Sequence, residues 1–453
     1  MIDMTTGKPA TLIARFAMPL LLGNILQQTY NIVDSIVVGK FIGAEALAAV
    51  GNSGIIIFLL ISMFAGISMG AVILVSQFFG AKQEERLRTA IDTIYIGMIA
   101  ASVIITAAGY LTADPFLRLM HTPEGATMEM SLTYVRTIFL GTAMSFGYNT
   151  NASILQGVGD SKSPLLFLSI ATVVNIVLDL VFVTVFDMGV FGVALATVIA
   201  QGTSFIFGVV YINRKIKIFR LFSHRMRFDS RILFQSFQIG LPAGIQNVLF
   251  CVGTIVLQRL VNSYGPAFMA GYSATNKIDL FVFMPCLSFA SAVTTYVGQN
   301  IGAKNLERVK EGVRSALIIS VGTALIMSIL VMLSGRYLLM AFTQDAEVIK
   351  TGEEFIKRLM PGYFLLAIIF TLNSTVRGAG ESFMPLMSTS VSLLIARVPL
   401  AYLFNYIGGR YNIFWCYGAG WLAGTFIIGS YYLSGRWKKK AFKFVEESAE
   451  RTS

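Results

Sequence analysis

At 453 residues and a formal net charge of +11, the chain is 55% apolar and only 13% charged, against roughly 25% charged in an ordinary globular protein. That is too little charge to coat the three or so soluble domains the length would suggest, and a nucleic-acid-binding protein is excluded because the basic residues lie between apolar runs, not on one soluble face. Three cysteines, Cys251, Cys286 and Cys416, sit in apolar stretches without paired spacing, which excludes a disulfide framework and a zinc site.

Apolar runs of about twenty residues, each long enough to cross a hydrocarbon core of about 30 Å, recur along the whole chain. The first, residues 12–38, is too long for the apolar core of a secretory signal and lacks a small-residue cleavage site, so it predicts a retained first helix. Further helices are predicted at 53–79, 90–112, 131–155, 164–186 and 190–212, then at 234–262, 271–300, 313–334, 353–376, 384–407 and 413–434. Ser163 and Ser382 come just before Pro164 and Pro385, and a proline pre-organised for the first helical turn marks the starts of the fifth and eleventh spans.

An even number of spans places both termini on one side. The loops on that side hold most of the Lys and Arg, including Arg214, Lys215, Lys217, Arg220, Arg225, Arg227 and Arg231 in 213–233, Arg377 in 377–383 and the run from Arg436 to Lys443. The opposite loops hold Lys40, Arg118, Arg336, Lys350 and Arg410. The positive-inside rule therefore predicts cytoplasmic termini. The basic loop and tail suit topology and attraction to an anionic leaflet, and no specific partner is assigned to them.

The halves repeat. Gln77, Gly80, Ala81, Lys82, Glu85 and Arg86 return 222 residues later as Gln299, Gly302, Ala303, Lys304, Glu307 and Arg308. At nearly the same offset Pro19 and Asn24 meet Pro242 and Asn247, and Gly157, Gly159, Asp160 and Ser161 meet Gly378, Gly380, Glu381 and Ser382. The predicted organisation is an amino-terminal lobe at 1–212, a basic cytoplasmic linker at 213–233, a carboxy-terminal lobe at 234–434 and a basic cytoplasmic tail at 435–453, the lobes related by an axis along the membrane normal. The glycines read as tight turns, with Asp160 or Ser161 capping the next helix; no strand or phosphate-loop lysine motif surrounds them.

Ionisable groups at bilayer depth cost a few kcal/mol on insertion scales, so each needs a reason. Asp34 has Tyr30 one turn before it, and Asp179 has Asn175 one turn before it, each pair on one helix face. Thr197 adds a hydroxyl, and carboxylate, amide and hydroxyl oxygens together suit a hard cation or a shared proton. Desolvation and mutual repulsion would let one of the acids exchange its proton for another cation; the alternative is that both acids only fix helix packing. Later in the chain come Lys277, Asp279 and Arg397, whose counterparts at the repeat offsets are Ile55, Ile57 and Ile176. Asp279 is a candidate counter-charge for Arg397. Asn149 and Asn151 face either a cleft or a neighbouring helix. Gly66 with Gly70, and Gly420 with Gly424, suit close helix packing, while Pro19, Pro242, Pro285, Pro361 and Pro399 are candidate bending points.

The chain resembles the multidrug and toxic compound extrusion (MATE) family over essentially its full length. The resemblance rests on Pro19, the stretch from Tyr30 to Asp34, the doubled Gln77 and Gln299 elements, Gly157 to Asp160, and Asn175 to Asp179. It implies an all-α membrane protein of twelve transmembrane helices in two pseudo-symmetric six-helix lobes around a central V-shaped cleft. It also implies export of organic, mostly cationic compounds against entering protons or sodium ions, by alternating access. The family's amino-lobe cation site, with Na+ as one possible occupant, falls on Asp34, Asn175, Asp179 and Thr197, with Tyr30 beside it. Some members carry essential acids in spans seven and ten, which this chain lacks; Asn149, Asn151, Lys277, Asp279 and Arg397 are the substrate-cleft candidates. The expectation is a monomer in a bacterial cytoplasmic membrane, not an enzyme, with the lipid bilayer and small organic cations as partners, no cofactor besides the coupling ion, and no nucleic acid. A flippase for lipid-linked oligosaccharides is the rival on a related scaffold; its anionic cargo would call for more cleft Arg and Lys. An intramembrane transferase is the rival from another class, but no Asp-rich metal motif is present, and His121 and His224 lie in loops without ligand spacing.

Overall fold

The computed structural model describes residues 1–215, 226–439 and 441, all helix or connection among those residues. Lys217, Arg220 and Arg225 of the expected linker, and the tail beyond residue 441 with Lys443, lie outside the described residues.

The order is α1 (Pro9–Val37), continued by a π-helical turn at Val38–Ile42, then α2 (Ala44–Gly80), α3 (Glu84–Leu119), α4 (Ala126–Leu140), α5 (Thr142–Gly157), α6 (Lys162–Thr184) and α7 (Gly189–Lys215). The later helices are α8 (Ser230–Asn262), α9 (Pro266–Gly302), α10 (Leu306–Met340), α11 (Ala346–Leu359), α12 (Tyr363–Gly378), α13 (Phe383–Ser390), α14 (Val398–Gly408) and α15 (Trp415–Leu433). A π-helical stretch, Val391–Arg397, joins α13 to α14, and a 3-10 turn, Met360–Gly362, joins α11 to α12.

Each of the twelve expected spans coincides with one helix or one joined series. Ten are long and apolar enough by length and composition to cross a membrane. The other two are α2, with apolar ends Ala44–Phe58 and Phe64–Gly80, and the fourth span, divided at Gly141 between α4 and α5. At Gly141 a Cβ would come within 2.2 Å of a Val198 methyl, so α7 passes too closely for any side chain there. Observed helices overrun the apolar runs because charged turns extend them past lipid: α10 has 35 residues, about 52 Å at 1.5 Å per residue. Its start is fixed by Asn305, whose side chain accepts from the Arg308 amide.

The chain forms two compact units, Met1–Ile2 with Pro19–Gly244, and Asp3–Met18 with Ile245–Ser453. The divisions fall inside α1 at Pro19 and inside α8 just past Pro242. In the first unit α2 packs on α3, α4 and α5, and α6 pairs with α7. Gly66 and Gly70 bring α2 against the first part of α8: a Cβ on Gly66 would lie 2.3 Å from the Gly244 nitrogen, and one on Gly70 2.2 Å from the Ser236 carbonyl oxygen. The entry to α8 docks on α3, where the Arg227 amide donates to Asp92 at 3.2 Å and the Asp229 amide to Thr93 at 3.0 Å.

In the second unit α9 is the central element, with α10, α11 and α12 around it and an aromatic core of Phe268, Tyr272, Phe355 and Phe414. Gly420 and Gly424 of α15 pass against Ser392, whose carbonyl oxygen would lie 2.7 Å from a Gly420 Cβ. Met4 is fully buried: its amide donates to Gln299 at 2.9 Å, and Asn300 donates to its carbonyl at 3.1 Å.

The sequence repeat is also a repeat of backbone shape. Lys82 and Lys304 take the same left-handed conformation, φ 54° and 55°. Gly159 and Gly380 do so at φ 83° and 91°, a region glycine enters without the cost of a Cβ. Between the two capping candidates it is Asp160 whose side chain accepts from the amides of Lys162 and Ser163. Glu381 accepts from Phe383 at the matching place.

Candidate cation site

Three helices of the first unit, α1, α6 and α7, bring together the residues singled out around Asp34. The 3.6-residue period puts Tyr30 and Asp34 on one face of α1, and Asn175 and Asp179 on one face of α6. Asp179 stands close enough to Asp34 to feel its charge. The Tyr30 hydroxyl meets the Thr197 hydroxyl at 3.0 Å, and the Asn175 amide donates to the same Thr197 oxygen at 3.5 Å. Asp34 is 8% exposed, and Asn175 and Asp179 are 0% exposed.

Satisfaction of these groups is lopsided. Asp34 Oδ1, Asp179 Oδ1, Asp179 Oδ2 and Asn175 Oδ1 are buried with no protein partner. All four are acceptors, while the one amide donor is already turned toward Thr197. Buried polar atoms are normally paired, and unpaired buried carboxylates cost far more than neutral groups. A set of oxygens on separate helices therefore suits a hard cation or a proton held between the acids. Tyr134 of α4 stands close enough to feel the charge of both acids.

A small open pocket adjoins this cluster, lined by Gln27, Tyr30, Tyr148, Thr172, Gln201 and Ser204 together with apolar positions. Gln201 Oε1 is another buried acceptor without a protein partner. Sequence reasoning named Tyr30 but missed the other lining residues, although the spacing marks three of them: Gln27 is three before Tyr30, Thr172 three before Asn175, and Gln201 four after Thr197. Continuing each helix face by one turn leads from the acids into the cavity.

The remaining candidates are placed as follows. Asn151 is fully buried, accepts from the Tyr95 hydroxyl and donates to the Phe205 carbonyl at 2.9 Å, so its amide joins helices. Asn149 donates to its own helix at Ser145, 2.8 Å away. In the second unit Lys277 is exposed, 5.5 Å from the centre of the Phe342 ring. Asp279 accepts from the Tyr363 hydroxyl. Arg397 is 5% exposed and lies over the Tyr417 ring at 3.5 Å. Asp279 and Arg397 sense each other's charge, but the expected counter-charge does not form a direct ion pair: tyrosines stand between both groups and the need for one.

The family profile described as MatE matches residues 19–181 and 242–403, one stretch in each half of the chain. The probable multidrug resistance protein YpnP of Bacillus subtilis is 31% identical over 96% of this chain and 97% of its own length. The probable multidrug resistance protein NorM of Thermotoga maritima is 26% identical over 94% and 93%. Among solved structures, a MATE in complex with MaL6 superposes with a TM-score of 0.88 at 23% identity, covering 97% of this chain and 98% of that one. The bent form of the Vibrio cholerae MATE transporter VcmN gives 0.88 at 20% identity, over 96% and 97%. These are transporter structures with the same all-helical, twice-repeated fold, and the profile match in both halves agrees with the repeat read from Gln77 and Gln299. This multi-pass membrane protein belongs to the MatE family.

Proposed function

We propose that the chain is a secondary active multidrug exporter that moves organic, mostly cationic compounds in exchange for protons or sodium ions, with Asp34, Asp179, Asn175, Thr197 and Tyr30 as the coupling site. The observation that carries this reading is the group of four buried acceptor oxygens without protein partners on Asp34, Asp179 and Asn175. A proton or Na+ satisfies them; once it does, the negative charge that would attract a cationic cargo into the adjoining cavity is cancelled. Conversely, a cationic guest near the acids weakens their hold on the small ion. Competition of two positive guests for one pair of carboxylates is the physical content of exchange.

The cavity adds the recognition chemistry an organic cation needs. Tyr30 and Tyr148 offer ring faces and Gln27 and Gln201 offer amides, and an aromatic face attracts a cation by about 0.5 to 2 kcal/mol. The names borne by the relatives at 31% and 26% identity point to the same cargo class. Alternation between the two halves delivers the site to each side of a bacterial cytoplasmic membrane, with both termini in the cytoplasm as the distribution of Lys and Arg favours. The chain acts as a monomer, with Asp279, Lys277 and Arg397 contacting cargo in the carboxy-terminal half and Asn149 in the amino-terminal half.

The test is dye efflux from liposomes holding the purified protein, under imposed proton and sodium gradients, for the wild type, Asp34→Asn and Asp179→Asn. Gradient-driven efflux should fall to background in both variants. Undiminished coupled export by both would overturn the assignment.

A further inference from the structure

Beyond the amino-terminal site, the second unit contains a polar cluster of opposite sign. Arg377 lies in the last turn of α12, where the sequence reading counted it among loop residues; in the structure it is helical and half-buried. Its guanidinium donates to Gln246 Oε1 on α8 at 2.5 Å, and Gln246 Nε2 donates to the Thr389 hydroxyl on α13. No acid forms an ion pair with Arg377 among the described residues. Its Nε is buried without a partner. One turn earlier on the same face of α12, Asn373 is 3% exposed and both its amide atoms lack a partner.

The direction of the hydrogen bonds defines what the cluster lacks. Gln246 uses its oxygen for Arg377 and an amide hydrogen for Thr389, so the acceptor that faces the guanidinium is already taken. What remains unpaired around the guanidinium is donors: the buried Arg377 Nε hydrogen, the unused guanidinium hydrogens and the Thr389 hydroxyl hydrogen. A cation is repelled by the guanidinium charge, whereas a group with two negative oxygens matches the planar guanidinium fork and restores neutrality. Helix-end placement alone would favour a basic side chain, but it does not require one turned inward onto Gln246. Gln246, Arg377 and Thr389 are all half-buried rather than sealed, so an anion can reach them.

We infer that Arg377, Gln246 and Thr389 form a binding site for an oxyanion, a phosphate or carboxylate group, in the carboxy-terminal half. The site is independent of the cation site and of the export reading. The phosphate can be soluble or carried by a lipid headgroup, and the test separates the two.

Full-length protein is placed in nanodiscs of phosphatidylcholine and its thermal midpoint is followed against inorganic phosphate at constant ionic strength. A second arm replaces part of the phosphatidylcholine with phosphatidylglycerol. The expected result is a saturable rise in midpoint for the wild type, its half-saturating concentration raised at least tenfold in Arg377→Gln and raised less in Arg377→Lys and Thr389→Val. A rise only with inorganic phosphate assigns a soluble oxyanion, and a rise only with phosphatidylglycerol assigns a lipid phosphate; either supports the site. Wild type, Arg377→Lys and Thr389→Val responding identically in both arms, or no response of the wild type in either, overturns it even if Arg377→Gln fails to fold.

Discussion

Asp179→Asn should make the purified protein more stable while abolishing its response to cations. The Asp179 side chain is 0% exposed and neither carboxylate oxygen has a protein partner. An ionised carboxylate so placed carries an effective desolvation penalty of several kcal/mol. An amide of the same shape leaves two neutral polar atoms short of partners, at about 1 to 3 kcal/mol. The difference, roughly 2 kcal/mol, favours the variant in alkaline, sodium-free buffer, where no guest cancels the charge. One kcal/mol moves the midpoint of a 150 to 250-residue protein by about 2 to 4 °C and that of a longer chain by less, so a rise of about 3 °C is expected. A guest present at a hundred times its dissociation constant stabilises the wild type by about 2.7 kcal/mol. Scanning fluorimetry at high and low pH, with and without sodium, should therefore show a wild-type midpoint that climbs with acid or sodium. The variant should start higher and stay flat. A variant midpoint climbing as steeply as the wild type's would refute the claim that Asp179 holds the exchanged cation.

Thr197→Val removes the hydroxyl shared by Tyr30 and Asn175; at about 0.5 to 1.5 kcal/mol for such a bond, ion-dependent stabilisation should need up to about tenfold more ion, read by the same titration. Gly66→Leu places side-chain atoms into the Gly240 and Gly244 backbone and should lower stability by about 1 to 3 kcal/mol or more, visible as a lower thermal midpoint, whereas Gly54→Ala, with nothing within 4 Å, should not. Asp92→Ala, which removes the acceptor of the part-buried bond from the Arg227 amide, should cost about 0.5 to 1.5 kcal/mol. Arg227→Ala, which removes an exposed ion pair with Glu85, should cost under about 1 kcal/mol. Asp160→Ala should cost about 1 kcal/mol through loss of the α6 cap, and Asp160→Asn should recover most of it in the same melting assay.

The spans were legible because a lipid-crossing helix demands a long apolar run, and nothing else in the chain produces one. Their ends were less so: α10 begins at Leu306 rather than near 313 because its charged first turns leave the lipid yet keep their helical hydrogen bonds. Asp34 and Asp179 stood out as carboxylates in apolar surroundings. Their meeting was not in any spacing, since α1, α6 and α7 converge only through packing. Arg377 stayed hidden for the opposite reason, since a charge near a span end looks like a loop charge until its helix is seen to continue through it. The expected pairing of Asp279 with Arg397 rested on charge balance alone, and buried tyrosines on α12 and α15 supply the contacts instead.

The π-helical stretch Val391–Arg397 changes how the halves should be aligned. Before it, Asp160 and Glu381 match at an offset of 221, but a π turn absorbs one extra residue, and beyond it the offset becomes 222. Asn175 then falls on Arg397, not Ile176, and Asp179 falls on Ala401, with all four side chains buried. Where one half presents buried oxygens without partners, its duplicate has a buried guanidinium. Two copies of one scaffold thus differ by a single added residue, and around the matched positions they bury opposite charges.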